Sequence, residues 1–148
     1  MKLRRATLAD LPALVPLFDG YRQFYAQPSD PARAERFLRD RLASGESVIF
    51  LAFEGPAAAG FVQLYPSFWS VAACRSWILN DLFVAPEHRG RGVARALLDH
   101  ARAYAESTGA AGMSLATQHD NLPAQRLYES LGWLKDQEFL HYELPLEP

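Results

Sequence analysis

Arginine and glycine alternate in one short stretch, Arg89-Gly90-Arg91-Gly92, and Arg95 follows within the next turn of chain. Glycines lack a Cβ atom, so they let an anion approach the backbone closely and adopt dihedral angles that other residues avoid. A helical apolar pattern begins at Val93, and the first N–H groups of a helix attract negative charge. Guanidinium groups add cations that suit phosphate. The stretch predicts a cradle for a diphosphate, although an exposed turn with solvated arginines has a similar composition.

Two better-known phosphate loops do not fit this stretch. A Walker loop ends in Gly-Lys-Ser/Thr, which is absent here. The dinucleotide pattern requires Gly or Ala where Arg95 stands. An unrelated nucleotide-binding enzyme with an arginine-rich loop is therefore the weaker interpretation.

The elements around the cradle are a strand that enters it and a helix that leaves it. β-rich residues from Cys74 to Val84 predict the strand, and the apolar stripe from Val93 to Ser107 predicts the helix. The whole chain has the order β, two helices, three antiparallel strands, then α, β, α, β, which predicts a mixed α+β domain. The further segments that carry this prediction are strands at Lys2–Arg5, Ser47–Phe53, Gly60–Tyr65 and Met113–Thr117, helices beginning near Thr7 and Pro31 and spanning Asn121–Leu131, and strand-like segments within Trp133–Leu146.

Length and charge restrict the function. The 148 residues suit a single domain, 1–148, and the net charge of −2 argues against bulk nucleic-acid binding. No run of apolar residues is long enough to span a membrane. Cys74 is the only cysteine, so no internal disulfide forms, and we expect a cytoplasmic protein. No Cys/His spacing indicates zinc, and we expect no metal.

Two stretches resemble the motifs of one enzyme family. Arg89-Gly90-Arg91-Gly92-Val93-Ala94 is similar to motif A of the GNAT superfamily of acetyl-CoA-dependent N-acetyltransferases, whose pattern is Q/R-x-x-G-x-G/A. The stretch from Asn121 to Trp133 resembles motif B of the same family, and the order and spacing of the two match across the chain. The resemblance implies a GNAT-type fold: a central, mostly antiparallel twisted sheet, splayed at the strand before motif A and flanked by about four helices.

The resemblance also implies where acetyl-CoA binds. Main-chain atoms of Leu82, Phe83 and Val84 would pair with the pantetheine arm. The pyrophosphate would be held by the main chain of Arg89, Gly90, Arg91, Gly92, Val93 and Ala94. Asn121 would contact the cofactor arm, with Gln125, Arg126 and Tyr128 close by.

Tyr128 matches the family's tyrosine that protonates the leaving thiolate, a step that needs an acid because a bare thiolate leaves poorly. The alternative is a packed helix aromatic. The base is less clear, since relatives often have Glu where this chain has Asn80. Asp81 is adjacent and would act through water if a bulge re-aims it, or else is a structural hydrogen-bond acceptor. His119 is a further candidate base at the acceptor side, with a plain loop histidine as the alternative.

The acceptor in this family is an amine, either a small molecule or a peptide. Aromatic walls suit an amine through cation–π contact, and Tyr21 and Tyr25 are expected to line its pocket, with Tyr65, Phe68 and Trp69 as further candidates. For Phe24, a core position is the preferred interpretation. A non-catalytic acyl-CoA sensor and a transferase for longer acyl groups stay open as alternatives, and many relatives form homodimers.

Overall fold

The computed structural model describes all 148 residues, and strands and helices alternate along the chain nearly as predicted. The chain divides into two units, Met1–Ala116 and Thr117–Pro148. The first contains β1 (Lys2–Arg5), α1 (Leu11–Phe24), α2 (Pro31–Ala43), β2 (Val48–Glu54), β3 (Ala57–Trp69), β4 (Cys74–Val84), α3 (Val93–Ser107) and β5 (Gly112–Ser114). The second contains one helix, α4 (Leu122–Ser130).

One sheet holds all five strands in the order β1-β2-β3-β4-β5. The first three pairs are antiparallel and only β4 and β5 run parallel. β4 and α3 have the predicted bounds. The structure thus confirms the mixed α+β class with a mostly antiparallel central sheet.

The sheet is covered on both faces, which explains the unbroken apolar run of β2. Ile49 and Leu51 belong to a buried cluster with Leu14 of α1 and Leu38 of α2. Phe50, between them, makes edge-on ring contacts with α3 at centroid distances of 4.6 and 5.3 Å. Since successive strand residues point to opposite faces, α1 and α2 lie on one face and α3 on the other.

A capping box forms just before α1, near the predicted start of the helix. The Thr7 N–H donates to Asp10 Oδ2 at 2.8 Å, and the Thr7 side chain accepts in return, which closes a short 3₁₀ turn at Leu8–Asp10. Arg4 pairs with the same carboxylate at 2.7 Å. α1 then continues past Pro16 to Phe24, so this proline does not end the helix.

The end of the chain differs from the prediction. The alternating apolar pattern within Trp133–Leu146 predicted strand-like segments, but residues 133–148 form no strand. A strand requires a neighbour for its backbone hydrogen bonds, and no ladder pairs with these residues. Their large apolar side chains are mostly exposed, between 70% and 94%, at Leu134, Phe139, Leu140, Tyr142, Leu144 and Leu146.

None of the helices combines the length and the apolar character that crossing a bilayer requires. No group of three or more His, Cys, Asp or Glu side chains is arranged so that it could hold a metal ion.

Candidate active site

The loop that enters α3 has the geometry of an anion cradle. Gly90 has φ +74° and Gly92, which is the N-cap of α3, has φ +81°; this is the region that side-chain-bearing residues avoid. No side chain caps the helix, and the first intrahelical bond runs from the Ala96 N–H to the Gly92 carbonyl at 3.0 Å. The main-chain N–H groups of Val93 and Ala94 therefore have no partner within the helix. Nothing lies within 4 Å of the position that a Cβ on Gly90 or Gly92 would take, so the loop is open to an anion such as a diphosphate.

The Arg89 side chain has a different task from the one that the sequence indicated. Its Nε donates to the Val84 carbonyl at 2.9 Å, and its guanidinium lies over the rings of Phe83 and Phe24 at 5.5 and 5.9 Å. It thereby ties the loop to the end of β4 instead of extending toward an anion. The Arg89 main-chain N–H is also engaged within the protein, because it donates to the Pro86 carbonyl at 3.3 Å, so the amides that remain for an anion begin at Gly90. The side chain of Arg91 is exposed.

A carboxylate that the sequence reading missed holds the same loop from β2. The ring Nδ1 of His88 lies 2.7 Å from Glu54 Oε1, and Arg91 Nη1 lies 3.7 Å from Glu54 Oε2. The hydrogen bond from His88, together with the charges of Arg91 and His88, lowers the pKa of Glu54 despite partial desolvation. Glu54 and His88 are 34 residues apart in the chain, and no local pattern connects them.

β4 extends past its parallel neighbour, as the predicted splay requires. β5 pairs only with Ser76, Trp77 and Ile78, so Leu79–Val84 continues without a partner on that side. The register slips once on the other side, where Gln63 pairs with Asp81 and Leu64 with Leu79. Asn80 is thus the extra residue of a β-bulge.

The direction of the main chain corrects one of the three predicted pantetheine contacts. The Ala85 N–H donates to the Ala59 carbonyl of β3 at 2.8 Å, and alternate residues of an antiparallel strand point to the same neighbour. The Phe83 carbonyl accordingly faces β3, where a Cβ on Gly60 would lie 2.7 Å from it. Leu82 and Val84 point their main chains to the open side. Phe83 instead contributes its ring, between Arg89 and the aromatic cluster described below.

The bulge places two neighbouring polar residues differently: Asn80 is exposed, whereas Asp81 is buried and only 4% accessible. The Gln63 side-chain amide donates to one Asp81 oxygen, and Asn80 Nδ2 donates to the other at 3.0 Å. Burial raises the pKa of Asp81, and the hydrogen bonds that Gln63 and Asn80 donate only partly oppose that rise. A carboxyl group with a raised pKa is a stronger base than an ordinary aspartate.

Tyrosines surround this carboxyl group. The Tyr21 hydroxyl donates to the Asn80 carbonyl at 3.4 Å, and its own pKa is raised by burial and by the charge of Asp81. Burial and the same charge raise the pKa of Tyr65 to about 12. Both phenols therefore stay protonated at neutral pH. The structure brings Tyr21 and Asn80, both expected to contact the acceptor, together with Asp81, the candidate base.

The ring of Tyr21 is the centre of an aromatic cluster. It makes edge contacts with Tyr25, Phe61 and Phe83 at centroid distances of 5.2, 5.8 and 6.2 Å. Tyr25 is exposed at the rim, in keeping with a lining role. Phe24, expected in the core, is instead 55% exposed, because it covers Arg89 and the edge of Tyr25.

Phe68 and Trp69 lie outside the cluster. Phe68 packs under Arg75 at 5.7 Å, and the indole of Trp69 covers Gly112 of β5. Both are at the β3–β4 turn, where Phe68 pairs with Arg75 and Trp69 with Cys74. Their place at the far end of the hairpin explains why they do not line the pocket with Tyr65.

The second unit carries the remaining predicted residues on and before α4. Asn121 is the N-cap, and its Oδ1 accepts the Ala124 N–H at 3.3 Å. Gln125 Nε2 donates to the carbonyls of Gln118 and His119 at 3.1 and 3.0 Å, which fixes the preceding loop. Both amides thus have structural tasks besides any contact with a cofactor, and the His119 side chain is exposed.

Tyr128 is half-buried on α4, with its ring 6.1 Å from that of Trp133. Its carbonyl accepts the Trp133 N–H at 3.1 Å, across the turn that Gly132 makes with φ +92°. The chain after the helix therefore folds back onto Tyr128, whose ring packs beside that of Trp133 as the packed-aromatic interpretation expects.

Comparison with known proteins agrees with this fold and loop. Residues 14–133 match the model of the acetyltransferase (GNAT) family, and the chain belongs to that family. It is an acetyltransferase.

Three relatives illustrate the range of similarity. The chain is 47% identical over 142 residues to the uncharacterized N-acetyltransferase YhfO of Bacillus subtilis (strain 168), which covers 96% of this chain and 95% of the relative. A crystal structure of a probable acetyltransferase is also 47% identical, with TM-score 0.94 over 100% of this chain and 99% of that one. An aminoglycoside N(6')-acetyltransferase type 1 from Stenotrophomonas maltophilia is 26% identical over 150 residues, 99% of this chain and 94% of the relative.

Proposed function

We propose that this enzyme transfers the acetyl group of acetyl-CoA to a primary amine, using Tyr128 as general acid and Asp81 as base. The observation that carries the proposal is the uncapped start of α3, with Gly90 and Gly92 at positive φ, beside the open side of β4. Its main-chain amides suit a diphosphate, and the main chains of Leu82 and Val84 suit the amide-rich pantetheine arm. When bound, acetyl-CoA supplies an activated acetyl thioester.

The residues of this chain then manage two protons. The acceptor nitrogen attacks the thioester carbonyl carbon, so a C–N bond forms while the C–S bond breaks. The leaving sulfur takes a proton from the Tyr128 hydroxyl, and the proton lost by the nitrogen goes to Asp81 through water. Each transfer needs a positioned group, because the amine is mostly an unreactive ammonium ion at neutral pH and must lose a proton, whereas a bare thiolate leaves poorly and must gain one.

Burial supports Asp81 as the base and also limits how it acts. Its raised pKa increases its proton affinity, but at 4% exposure the carboxylate has little room for a direct contact with an acceptor. Asn80 and Tyr21 lie at its exposed side and suit a role in holding the water and the acceptor. His119 remains a proposed acceptor-side residue in the second unit, where its side chain is exposed.

The acceptor class follows from charge and aromatic surface. The Tyr21 and Tyr25 rings next to a buried carboxyl group favour a cationic amine over a neutral or anionic acceptor. One relative is named for an aminoglycoside, a polyamine-like acceptor. Small amines, amino acids, aminoglycosides and basic peptides form the panel on which the acceptor should be sought.

Two measurements test the proposal in sequence. Calorimetry on the folded protein should detect coenzyme A and acetyl-CoA, and thiol release in the presence of the amine panel should show turnover with at least one acceptor. Absence of any affinity for coenzyme A would refute the proposal at its base. Release of thiol without an acetylated amine would show hydrolysis instead.

A non-catalytic acyl-CoA sensor is the second candidate. Asn80 favours it, because an amide stands where a carboxylate base is common in relatives and the nearest carboxylate is buried. The sensor predicts tight acyl-CoA binding with no thiol release across the whole panel. A preference for longer acyl thioesters in the same assay would redefine the donor without changing the class.

We further propose that residues 1–148 act as one acetyltransferase domain, since the family match at 14–133 runs through both units. The expected result is that a fragment ending at Ala116 lacks acetyltransferase activity even if it folds. The exposed free thiol of Cys74 suits a reducing compartment, and we propose the cytoplasm.

A homodimer is the proposed assembly. The exposed apolar side chains of residues 134–146 are more than a monomer in water usually leaves uncovered in one segment, and a second copy of the chain would cover them. Sedimentation at micromolar concentration should give twice the chain mass. A monomer at every concentration would refute the dimer and leave the proposed activity intact.

A further inference from the structure

Glu54 holds the cradle loop through two different side chains. It is the last residue of β2, and its Oε1 lies 2.7 Å from His88 Nδ1 while its Oε2 lies 3.7 Å from Arg91 Nη1. The His88 side chain is 12% exposed and that of Glu54 25%, so the pair is only partly shielded from water. His88 closes the 3₁₀ turn Pro86–His88, which leads directly to Gly90.

The chemistry of the pair defines its direction. An ionised carboxylate can only accept, so the hydrogen on His88 must be on Nδ1. The low pKa of Glu54 keeps the carboxylate ionised at neutral pH. A hydrogen bond to a charged, partly buried acceptor is stronger than one between neutral groups.

The loop is thus fixed from two strands before any ligand arrives. His88 attaches it to β2, and the neighbouring Arg89 attaches it to the Val84 carbonyl of β4. A loop with two glycines at positive φ would otherwise sample many conformations, and ordering it on binding would reduce affinity. Fixing its entrance leaves the amides after Gly90 aligned for the anion.

We propose that Glu54 and His88 are positioning residues for the diphosphate of the acetyl donor: they touch no reacting atom and act by holding the cradle in its binding conformation. The inference rests on the proposed use of acetyl-CoA. Loss of either side chain should therefore weaken the binding of donors that carry a diphosphate and leave the binding of donors that lack it unchanged.

The test compares two acetyl donors. Glu54→Ala and His88→Ala should each raise KM for acetyl-CoA about tenfold, with kcat at saturation unchanged, because a charge-assisted hydrogen bond is lost. With acetyl-pantetheine, which lacks the diphosphate, the same variants should have the same kcat/KM as the parent protein. Calorimetric Kd values for coenzyme A should rise in parallel with KM.

Conservative variants separate positioning from general damage. His88→Asn presents an amide N–H near the place of Nδ1, and Glu54→Gln keeps an oxygen acceptor, so both should remain within about threefold of the parent. Glu106→Ala removes an exposed ion pair with Arg102 of 2.8 Å elsewhere on α3 and serves as the matched control. It should change neither donor constant.

Four results would overturn the inference. A folded Glu54→Ala protein that binds coenzyme A as tightly as the parent would remove it, as would equal losses with both donors. If Glu54→Ala does not fold, equal KM values for His88→Ala and His88→Asn would do the same. If the unmodified protein itself has no affinity for coenzyme A, the proposed function fails and takes the inference with it.

Discussion

The cradle loop before α3 and the Asp81 cluster (Tyr21, Gln63, Asn80 and Asp81) present different chemical groups to a ligand. The loop offers main-chain amides from five consecutive residues, Gly90–Ala94, with open space beyond its glycines. The cluster offers side chains from α1, β3 and β4, and its hydrogen bond from Tyr21 to Asn80 joins residues 59 apart. A binding site made of consecutive main-chain amides can be recognised from a short sequence motif. A site made of side chains from several elements forms only when the chain folds, so no short motif reveals it.

The largest expected effect tests the main-chain half of this contrast. Gly92→Val should raise Kd for coenzyme A by about a hundredfold or more, because a β-branched residue avoids the positive φ that the loop requires. Calorimetry measures the affinity directly.

Gly45→Val is the matched control, since Gly45 has φ +64° and open space around it in the turn between α2 and β2. It should suffer the same local strain and keep its affinity for coenzyme A. Equal losses of affinity for coenzyme A in the two variants would show that Gly92→Val acts only by lowering stability. The main chain at Gly92 would then have no specific role in binding.

Asp81→Asn tests the side-chain half. We expect a loss of about a hundredfold in kcat/KM for the acceptor, the size typical of a lost general base. Since burial raises the pKa of Asp81, activity of the parent should increase as pH rises through that pKa, and the variant should lack this limb of the profile. Asp99→Asn, at an exposed site on α3, should leave the profile unchanged.

The same variant makes a prediction about stability. A carboxyl group with a raised pKa in the folded state contributes stability below its unfolded pKa and loses that contribution as pH rises through the folded pKa. Asparagine removes the cost of an ionised buried group, so Tm at neutral pH should equal or exceed that of the parent. A large fall in Tm would instead favour the structural interpretation of Asp81.

Tyr128→Phe should have a smaller effect, a fall of about thirtyfold in kcat, because water replaces part of the lost acid. The Kd for coenzyme A should not change. Tyr142→Phe, on an exposed ring, is the control. Full turnover in Tyr128→Phe under conditions where chemistry limits the rate would contradict the acid role.

The smallest effect is expected from Tyr21→Phe. Its hydroxyl makes only a long hydrogen bond of 3.4 Å to the Asn80 carbonyl, while its ring contacts persist in phenylalanine. We predict a rise of about threefold in KM for the acceptor and none in KM for acetyl-CoA. A change in the donor constant alone would place Tyr21 with the loop rather than with the cluster.

The sequence was most informative where structure is local. β4, α3 and the positive-φ glycines between them follow from periodicity and from the residue types, and so does the capping box at Thr7. Motif order then identified the family. These features depend on neighbours within a few residues, which is the range over which sequence patterns carry physical information.

Contacts between distant segments could not be predicted from local sequence patterns. Nothing near Glu54 indicates that it binds His88, and nothing near Arg89 indicates that its guanidinium lies over the ring of Phe24. The exposure of Phe24 also depends on what packs above it. The strands expected within Trp133–Leu146 failed for the same reason, because an alternating pattern does not say whether a pairing neighbour exists.

Trp69 covers Gly112 so closely that any side chain at position 112 would collide with the indole. This contact fastens β5 to β4 at the end where the two strands are joined, and the gap between them opens from there. The indole therefore constrains the short stretch of β5 that pairs with β4, at the opposite end of β4 from Leu82 and Val84. A larger residue at position 112 is expected to displace either the indole or β5 itself.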